Sequence, residues 1–268
     1  MQIKKASAAN YKYWGSAVFA LIYVCFSSIA LAQQAQSLPE SIKQIKPSVV
    51  SIAIYAPIES KTPQILGTGF VVGNGKYIVT NYHVVSKELD LTIVENFVAL
   101  SGTGPNPAIH KMDIVAIDPV HDIAILSIDQ TLPALKLAND NLVDPGTSVF
   151  FTGFPIGAVL GLYPATHQGI IAAITPDVNP ASNADQLTLQ MLDRLKTPFL
   201  IYQLDATAYP GNSGSPVFNS NNNEVVAIIN KVFVSEGKEA ALTNPSGISY
   251  AIPIRDLRKL AKVNDISL

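Results

Sequence analysis

Residues 69–80 read GFVVGNGKYIVT, and they indicate the kind of fold to expect. Two short apolar runs rich in Val and Ile flank Gly73-Asn74-Gly75. Runs of this composition, bounded by turn-forming residues, are typical of strands and not of amphipathic helices. Glycine and asparagine supply the positive-φ residues that a tight hairpin turn requires. The stretch therefore predicts a β-hairpin at the start of a barrel-like unit.

The same pattern continues along the chain at short intervals, which is typical of an all-β sandwich or barrel. Besides residues 69–72 and 77–80, we expect strands at residues 49–55, 91–94, 112–117, 123–128, 149–153, 168–174, 199–204, 216–218, 224–230 and 248–251. Helical spacing of apolar residues occurs at 184–196 and at 254–263, where we expect helices. The connection at about residues 127–144 is the expected boundary between two β-units.

Composition and charge narrow the class of protein. The chain has 268 residues, of which 48% are hydrophobic and 14% charged, so it can bury a sizeable core. It carries 18 basic and 20 acidic residues, a formal net charge of −2. A nucleic-acid partner is not expected, because such proteins usually show a basic surplus.

The first 32 residues have the composition of a secretory signal peptide. Three lysines precede an apolar run at residues 17–29, which is followed by a small-residue site ending at Ala32. The run is shorter than the ~20 residues that span a bilayer, so we expect cleavage after Ala32, with no stable membrane insertion afterwards. Export to the periplasm or the medium follows. Cys25 lies in this segment, so residues 33–268 have no thiol chemistry and no disulfide.

The sequence YPGNSGSP at residues 209–216 frames a serine with glycines. Glycine allows a tight backbone turn that leaves the Ser213 hydroxyl unobstructed. A nucleophilic serine also needs backbone N–H groups that stabilise a developing oxyanion, and the amides of Gly211 and Ser213 are the candidates. The alternative is an ordinary structural turn, since Gly, Asn and Ser are common turn formers.

A nucleophilic serine needs a base, which is usually histidine, and the chain has 4 histidines. His83 directly follows the predicted strand at 77–80 and is the preferred base. His110 and His167 are better explained as surface or packing residues. His121, in a loop beside a candidate acid, is a weaker alternative.

The base in turn needs a carboxylate that fixes its tautomer. Asp122 opens the predicted strand at 123–128, and its rivals are Asp113, Asp118 and Asp129. No His-Glu-x-x-His, close histidine pair or Gly-x-x-x-x-Gly-Lys loop occurs, so we expect neither a metal nor a cofactor.

In their chain order, His83, Asp122 and Ser213 with their surroundings resemble the chymotrypsin-like serine peptidases, specifically the protease domain of the HtrA/Deg family. The matching segments are residues 45–52, 67–72, 80–85, 118–128, 132–137, 153–157, 211–214 and 247–253. A run of short motifs in order is more specific than any one of them. The resemblance implies an all-β chymotrypsin-like fold with two six-stranded-type β-barrels and a C-terminal helix, forming one trypsin-like serine protease domain over residues 33–268.

The resemblance also implies roles for individual residues. His83 is the general base, Asp122 orients it and Ser213 is the nucleophile, with the Gly211 and Ser213 amides as the oxyanion hole. Substrate binding falls to Thr207 at or near the floor of the specificity pocket and to a strand that pairs with the substrate backbone, at Asn230, Lys231 and Val232.

The function that this implies is an exported serine endopeptidase acting on unfolded or extended polypeptides, as in protein quality control. Family members often form trimers through N-terminal aromatic residues, and Tyr55 is the candidate for a homotrimer here. The sequence ends soon after Pro253, so a peptide-binding PDZ domain is not expected. The segment 177–198 is longer than in the family, and is either a lid, a partner surface or a plain solvated insertion.

Two alternatives stay open. Residues 215–219 resemble secreted glutamyl endopeptidases, although Ile229 takes the place of the histidine that recognises glutamate in those enzymes. The second alternative is a non-catalytic chaperone or binding module on the same fold, because fold does not guarantee activity.

Overall fold

A computed structural model describes residues 37–155, 162–177, 198–232 and 247–268, and everything below concerns these residues. They form thirteen strands, two α-helices and three short 3-10 helices. The helices are α1 (Leu38–Ile45) and α2 (Ile254–Val263), and the strands are β1 (Val49–Tyr55), β2 (Gln64–Val72), β3 (Tyr77–Thr80), β4 (Asn96–Ser101), β5 (Ala108–Lys111), β6 (Asp113–Asp118), β7 (Ile123–Ser127), β8 (Ser148–Gly153), β9 (Ala165–Pro176), β10 (Leu200–Asp205), β11 (Pro216–Asn219), β12 (Val225–Val232) and β13 (Ile248–Pro253). The 3-10 helices are Lys46–Ser48, Tyr82–Val85 and Leu91–Ile93.

The strands form two antiparallel sheets that follow each other in the chain. The first has seven strands in the order β5-β4-β1-β2-β3-β7-β6, and the second is a closed barrel in the order β10-β13-β12-β11-β8-β9. The predicted all-β, chymotrypsin-like class is confirmed. The prediction of a six-stranded barrel is wrong for the first sheet, which has seven strands and is not closed, since β5 and β6 at its two edges do not pair with each other. Buried Met112 separates these two strands, and its N–H donates to the Phe97 carbonyl at 2.9 Å.

The predicted hairpin forms between β2 and β3. Phe70 pairs with Val79 and Val72 with Tyr77. In the turn, Gly73 and Gly75 have φ of +62° and +84°, angles that glycine adopts without steric cost.

The strand predicted at residues 91–94 is wrong: Leu91–Ile93 is a 3-10 helix. The Asp90 carboxylate accepts hydrogen bonds from the Thr92 N–H at 2.8 Å and from its hydroxyl at 2.6 Å, so side-chain capping overrides the strand propensity of the apolar residues. The strand begins later, as β4, which the sequence analysis missed together with β5 and α1. The predicted helix at 184–196 lies outside the described residues, as does nearly all of the segment 177–198.

The second barrel and the C-terminal helix share a core. Phe150 and Phe218 are almost fully buried and stack with ring centroids 4.9 Å apart. The predicted helix at 254–263 is confirmed as α2, which buries Leu257 and anchors the connection between the sheets through Arg258, whose guanidinium donates to the Ala138 carbonyl at 2.8 Å. Neither described α-helix, of 8 and 10 residues, is long enough to cross a membrane.

Candidate active site

Strand pairing brings His83 and Asp122 together at one end of the paired strands β3 and β7 in the first sheet. β3 and β7 pair antiparallel, with Thr80 opposite Ala124. His83 lies in the 3-10 helix directly after β3, and Asp122 lies in the turn directly before β7. The end of one strand therefore adjoins the start of the other.

The backbone of Asp122 is held against the segment that precedes His83. Asp122 has a φ of +55°, a left-handed conformation that aspartate tolerates better than most residues. Its carbonyl accepts hydrogen bonds from the Asn81 side-chain amide at 3.1 Å and from the Tyr82 N–H at 3.2 Å. These bonds fix the turn that presents the carboxylate.

The Asp122 carboxylate then contacts His83 through both oxygens. Oδ2 lies 2.7 Å from His83 Nδ1, and Oδ1 accepts the His83 backbone N–H at 2.8 Å. An ionised carboxylate can only accept, so Nδ1 carries the proton of a neutral imidazole and Nε2 keeps its lone pair. The His83 side chain is 47% exposed and that of Asp122 18%, so the basic nitrogen remains accessible.

The turn around Ser213 has its carbonyl groups tied into the fold. The Gly211 carbonyl accepts the Thr68 hydroxyl at 2.7 Å and the Ser213 carbonyl accepts the Thr68 N–H at 2.9 Å. The Asn212 carbonyl accepts the Ser215 N–H at 3.0 Å. All three carbonyl groups therefore have a donor.

The N–H groups of the same turn divide into two sets. Those of Asn212 and Gly214 donate to carbonyl groups of the fold, at 3.0 and 2.9 Å. Those of Gly211 and Ser213 make no hydrogen bond to any part of the chain that the structure describes. Two such N–H groups, separated in the chain by Asn212, can bind an oxyanion.

The Ser213 hydroxyl donates to the Asn230 carbonyl at 3.3 Å. It makes no hydrogen bond to His83, although the structure describes both Ser213 and His83. The two turns are nevertheless neighbours. A Cβ on Gly67 would lie 3.0 Å from the Ser213 carbonyl oxygen and 3.0 Å from the side chain of Val84, the residue after His83.

The residues expected to bind substrate lie on two segments of the second barrel. Asn230 is the bulged residue of β12, between Ile229, which pairs with Ala251, and Lys231, which pairs with Tyr250. Such bulges are common next to active sites. Val232 follows in the same strand, opposite Ser249.

Thr207, expected at the pocket floor, is half-buried in the loop after β10. Its neighbours are held by the buried Ser249 hydroxyl, which donates to the Ala206 carbonyl at 2.7 Å and accepts the Ala208 N–H at 3.1 Å. Thr207 is therefore presented from a fixed loop.

The other histidines have different partners. His121 Nδ1 lies 2.6 Å from Asp118 Oδ2, and the His121 ring packs on Phe199 with centroids 4.7 Å apart. His110 is buried between Ser101 and Gln130, at 2.7 and 3.2 Å. The structure thus brings only His83 to Asp122, among the described residues.

His167 packs inside the second barrel close to the Ser213 turn. Its ring lies 4.9 Å from that of Phe151 and 5.8 Å from that of Tyr209, and its Nε2 is buried without a hydrogen-bond partner. Burial disfavours the charged imidazolium, so the pKa of His167 is lowered.

Sequence reasoning missed the roles of Thr68, Asn81 and Gly153. Asn81 holds the Asp122 carbonyl, and a side chain on Gly153 would collide with the Ser213 turn. A signal existed for Thr68: it is a polar residue within an apolar strand, and a buried hydroxyl needs a partner.

Residues 67–228 match the family model of the trypsin-like peptidase domain. The chain belongs to this family. The matched range includes His83, Asp122 and Ser213, and it covers more than half of the 268 residues.

Trypsin-like peptidases of the HtrA/Deg kind are among the relatives, which confirms the resemblance expected from the motifs. The chain is 33% identical over 192 residues to a protein of Pseudomonas putida named "Probable periplasmic serine endoprotease DegP-like", a match that covers 71% of this chain and 33% of that protein. A protein of the same name from Halomonas elongata is 31% identical over 191 residues, covering 70% and 33%. The chain thus spans about a third of the length of these relatives.

Solved structures of trypsin-like peptidases share the fold. A serine endoprotease from Yersinia pestis superposes with a TM-score of 0.59 at 23% identity, covering 85% of this chain and 66% of that one. The HtrA-type protease AlgW, solved with a decapeptide, gives 0.63 at 20% identity, covering 86% and 68%.

Proposed function

We propose that this protein is an exported serine endopeptidase that hydrolyses peptide bonds through an acyl-enzyme. One observation carries the proposal: an imidazole paired with a carboxylate adjoins a serine turn whose carbonyl groups all have donors, while two of its N–H groups have no acceptor in the described part of the chain. Family membership supports it, because the matched range contains these residues.

The proposed reaction begins when Ser213 Oγ attacks the carbonyl carbon of the scissile bond. Nε2 of His83 takes the hydroxyl proton, and Asp122 stabilises the imidazolium through its contact with Nδ1. The carbonyl oxygen becomes an oxyanion, which the N–H groups of Gly211 and Ser213 bind.

The intermediate then collapses. The C–N bond breaks, His83 gives its proton to the leaving amine, and Ser213 remains as an ester with the acyl part of the substrate. Water, deprotonated by His83, attacks the carbonyl carbon of this ester. The ester C–O bond then breaks, His83 returns the proton to Ser213 Oγ, and the carboxylic acid is released.

Substrate recognition is proposed to use the second barrel. An extended polypeptide would pair with the backbone at Asn230, Lys231 and Val232, and the side chain before the scissile bond would approach Thr207. We propose a small or medium apolar residue at that position. A glutamate preference is not supported, because the apolar, buried Ile229 offers no partner for a carboxylate.

The cellular setting is proposed from the sequence and the relatives. Residues 1–32 would be a cleaved signal peptide and residues 33–268 the peptidase domain, with the two β-units joined at about 127–144. Export to the periplasm is supported by the relatives whose names include that compartment. We propose that the protein acts there on unfolded proteins, in protein quality control. A homotrimer through Tyr55 is a further proposal, tested by light scattering.

The Ser213–Asn230 hydrogen bond favours a second candidate, a binding module or chaperone that does not cleave. One experiment separates the two. The protein is incubated with unfolded casein and with a mixed peptide library, beside Ser213→Ala, and products are identified by mass spectrometry. The proposal predicts cleavage by the wild type alone, after small or medium apolar residues. Protection of casein from aggregation by both proteins, with no cleavage, would support the binding module.

A further inference from the structure

Thr68 lies where the two sheets and the Ser213 turn meet. It belongs to β2 of the first sheet and is fully buried. Its hydroxyl oxygen accepts the N–H of Phe154, the residue after β8, at 2.9 Å. Its hydroxyl donates a hydrogen bond to the Gly211 carbonyl at 2.7 Å.

The direction of this chain of hydrogen bonds is fixed by its ends. The Phe154 N–H can only donate and the Gly211 carbonyl can only accept, so the Thr68 hydroxyl has one orientation available. The main chain of Thr68 adds a second contact, because its N–H donates to the Ser213 carbonyl at 2.9 Å. Thr68 thus holds the peptides that follow Gly211 and Ser213, the two residues of the turn whose own N–H groups have no acceptor among the described residues.

Thr68 adds its restraint to the hydrogen bonds within the turn, which join the Asn212 N–H to the Tyr209 carbonyl and the Ser215 N–H to the Asn212 carbonyl. Gly211 has a φ of +98° and no Cβ, so its adjoining peptides can rotate more freely than those of other residues. The side chain of Asn212 is fully buried, yet neither its Nδ2 nor its Oδ1 has a hydrogen-bond partner within the described part of the chain. It therefore does not anchor the turn.

Gly153 leaves room for this arrangement. A Cβ on Gly153 would lie 2.9 Å from Thr68 Oγ1 and 2.8 Å from Asn212 Oδ1. A side chain at position 153 would displace Thr68 or Asn212. Glycine at this position therefore lets the Phe154 N–H reach the Thr68 hydroxyl while the Asn212 side chain stays buried.

We infer that Thr68 is a positioning residue. Its hydroxyl fixes the Gly211–Asn212 peptide and its N–H fixes the Ser213–Gly214 peptide, and together they hold Gly211 and Ser213 in the backbone conformation in which the N–H groups of these two residues form the oxyanion hole. Without the hydroxyl, the Gly211 carbonyl loses its donor. Among the described contacts, the Gly211–Asn212 peptide is then held only by the Asn212 N–H, which donates to the Tyr209 carbonyl, so the backbone angles of Gly211 can change. The inference rests on the proposed function, since it assigns Thr68 a task in the same reaction.

The test compares three variants with the wild type. T68V replaces the hydroxyl by a methyl group of similar size, and T68S keeps the hydroxyl. T152V is the matched control: Thr152 is 1% exposed, and its hydroxyl bonds to that of Thr166 at 2.8 Å and, among the described residues, not to the Ser213 turn. Each is assayed for kcat and KM on a cleaved peptide, for inhibition by a peptidyl trifluoromethyl ketone, and for its unfolding temperature.

The expected loss is specific to the transition state. Removal of one oxyanion donor typically costs about 10²–10³ in kcat, and a displaced donor should cost part of that, so T68V is expected to lower kcat by about 10- to 100-fold. The ketone, which forms an oxyanion, should bind more weakly by the same factor, while KM stays within about 3-fold. T68S and T152V should remain within about 3-fold of the wild-type kcat.

Three results would overturn the inference: a T68V kcat equal to that of T152V, a change in KM alone, or an equal loss in T68S. If T68V does not fold, T68A removes the same hydroxyl without adding a methyl group, and the same comparisons apply. A wild type that neither cleaves peptides nor reacts with fluorophosphonate contradicts the proposed function instead.

The geometry is then tested by the ¹H–¹⁵N resonance of Gly211, which should shift in T68V and not in T152V. An unchanged resonance would refute the role of Thr68.

Discussion

The Asp122 carboxylate makes two hydrogen bonds to His83, one to the imidazole ring and one to the backbone N–H. Oδ2 lies 2.7 Å from Nδ1, and Oδ1 accepts the backbone N–H at 2.8 Å. The same carboxylate therefore sets both the tautomer of the imidazole and the position of its main chain. A second carboxylate–imidazole pair, Asp118 with His121, has a similar separation of 2.6 Å, but the His121 ring packs on Phe199, whereas His83 precedes Val84, which borders the Ser213 turn across Gly67.

The first prediction uses these two pairs. Asp122→Asn should lower kcat/KM by about 10³–10⁴-fold, because an amide no longer fixes the productive tautomer or stabilises the imidazolium. Asp118→Asn, the matched control, should lower kcat/KM less than 10-fold. Both are measured on the same peptide substrate, with unfolding temperatures to confirm that each variant is folded. Equal losses in the two variants would refute the role proposed for Asp122.

Gly153→Ala should destabilise the protein and reduce its activity. The added Cβ would lie 2.0 Å from Ser215 Oγ, so the Ser213 turn has to move. Overpacking of this kind costs about 1–3 kcal/mol or more in the free energy of unfolding.

Gly102→Ala is the matched control for this substitution. Gly102 has a φ of +95° but open space around it, so the control carries the cost of backbone strain without a collision. Urea denaturation and kcat/KM are measured for both. An unchanged kcat/KM in Gly153→Ala would show that the turn tolerates the displacement.

The second barrel should depend on its aromatic core. Phe150→Ala removes a side chain that is 1% exposed and stacks on Phe218, and should lower the free energy of unfolding by about 3–5 kcal/mol. Val263→Ala, at a residue 82% exposed, should change it by less than about 0.5 kcal/mol. Denaturant titrations measure both, and similar midpoints would contradict the described burial.

His167 should make stability depend on pH. Its pKa in the folded state is lowered by burial, so below the ordinary histidine value of about 6.5 the unfolded state binds more protons than the folded state. The contribution of neutral His167 to the free energy of unfolding is therefore fully present above about pH 6.5, and it is lost as the pH falls towards the lowered pKa of the folded state.

His167→Phe keeps an aromatic ring beside Phe151 but cannot be protonated. The free energy of unfolding of this variant should fall less between pH 7 and pH 5 than that of the wild type. Denaturant titrations at several pH values give both curves. Parallel curves would contradict the assigned pKa direction.

The sequence was sufficient for the strands whose apolar pattern is local and uninterrupted. The hairpin of residues 69–80 was predicted with its turn, because glycine and asparagine at its tip leave few alternatives. Residues 91–94 were misassigned because the capping contact of Asp90 with Thr92 competes with strand propensity, and single-residue propensities do not contain it.

The candidate site was accessible from the sequence only in part. His83, Asp122 and Ser213 could be selected by chemistry and motif, since few histidines and one glycine-framed serine compete. Thr68 is recognisable in the sequence only as a polar residue within an apolar strand. Its partners, Phe154 and Gly211, are 86 and 143 residues away in the chain, so its role could not be predicted. Contacts of this range arise only when both sheets have formed.

The central claim, an activated serine at position 213, is tested most directly by intact-mass analysis of the purified protein after treatment with a fluorophosphonate, beside Ser213→Ala. The proposed mechanism predicts one phosphonyl adduct on the wild type, located at Ser213, and none on the variant. A folded wild type that stays unmodified, or a variant that is modified equally, would contradict it.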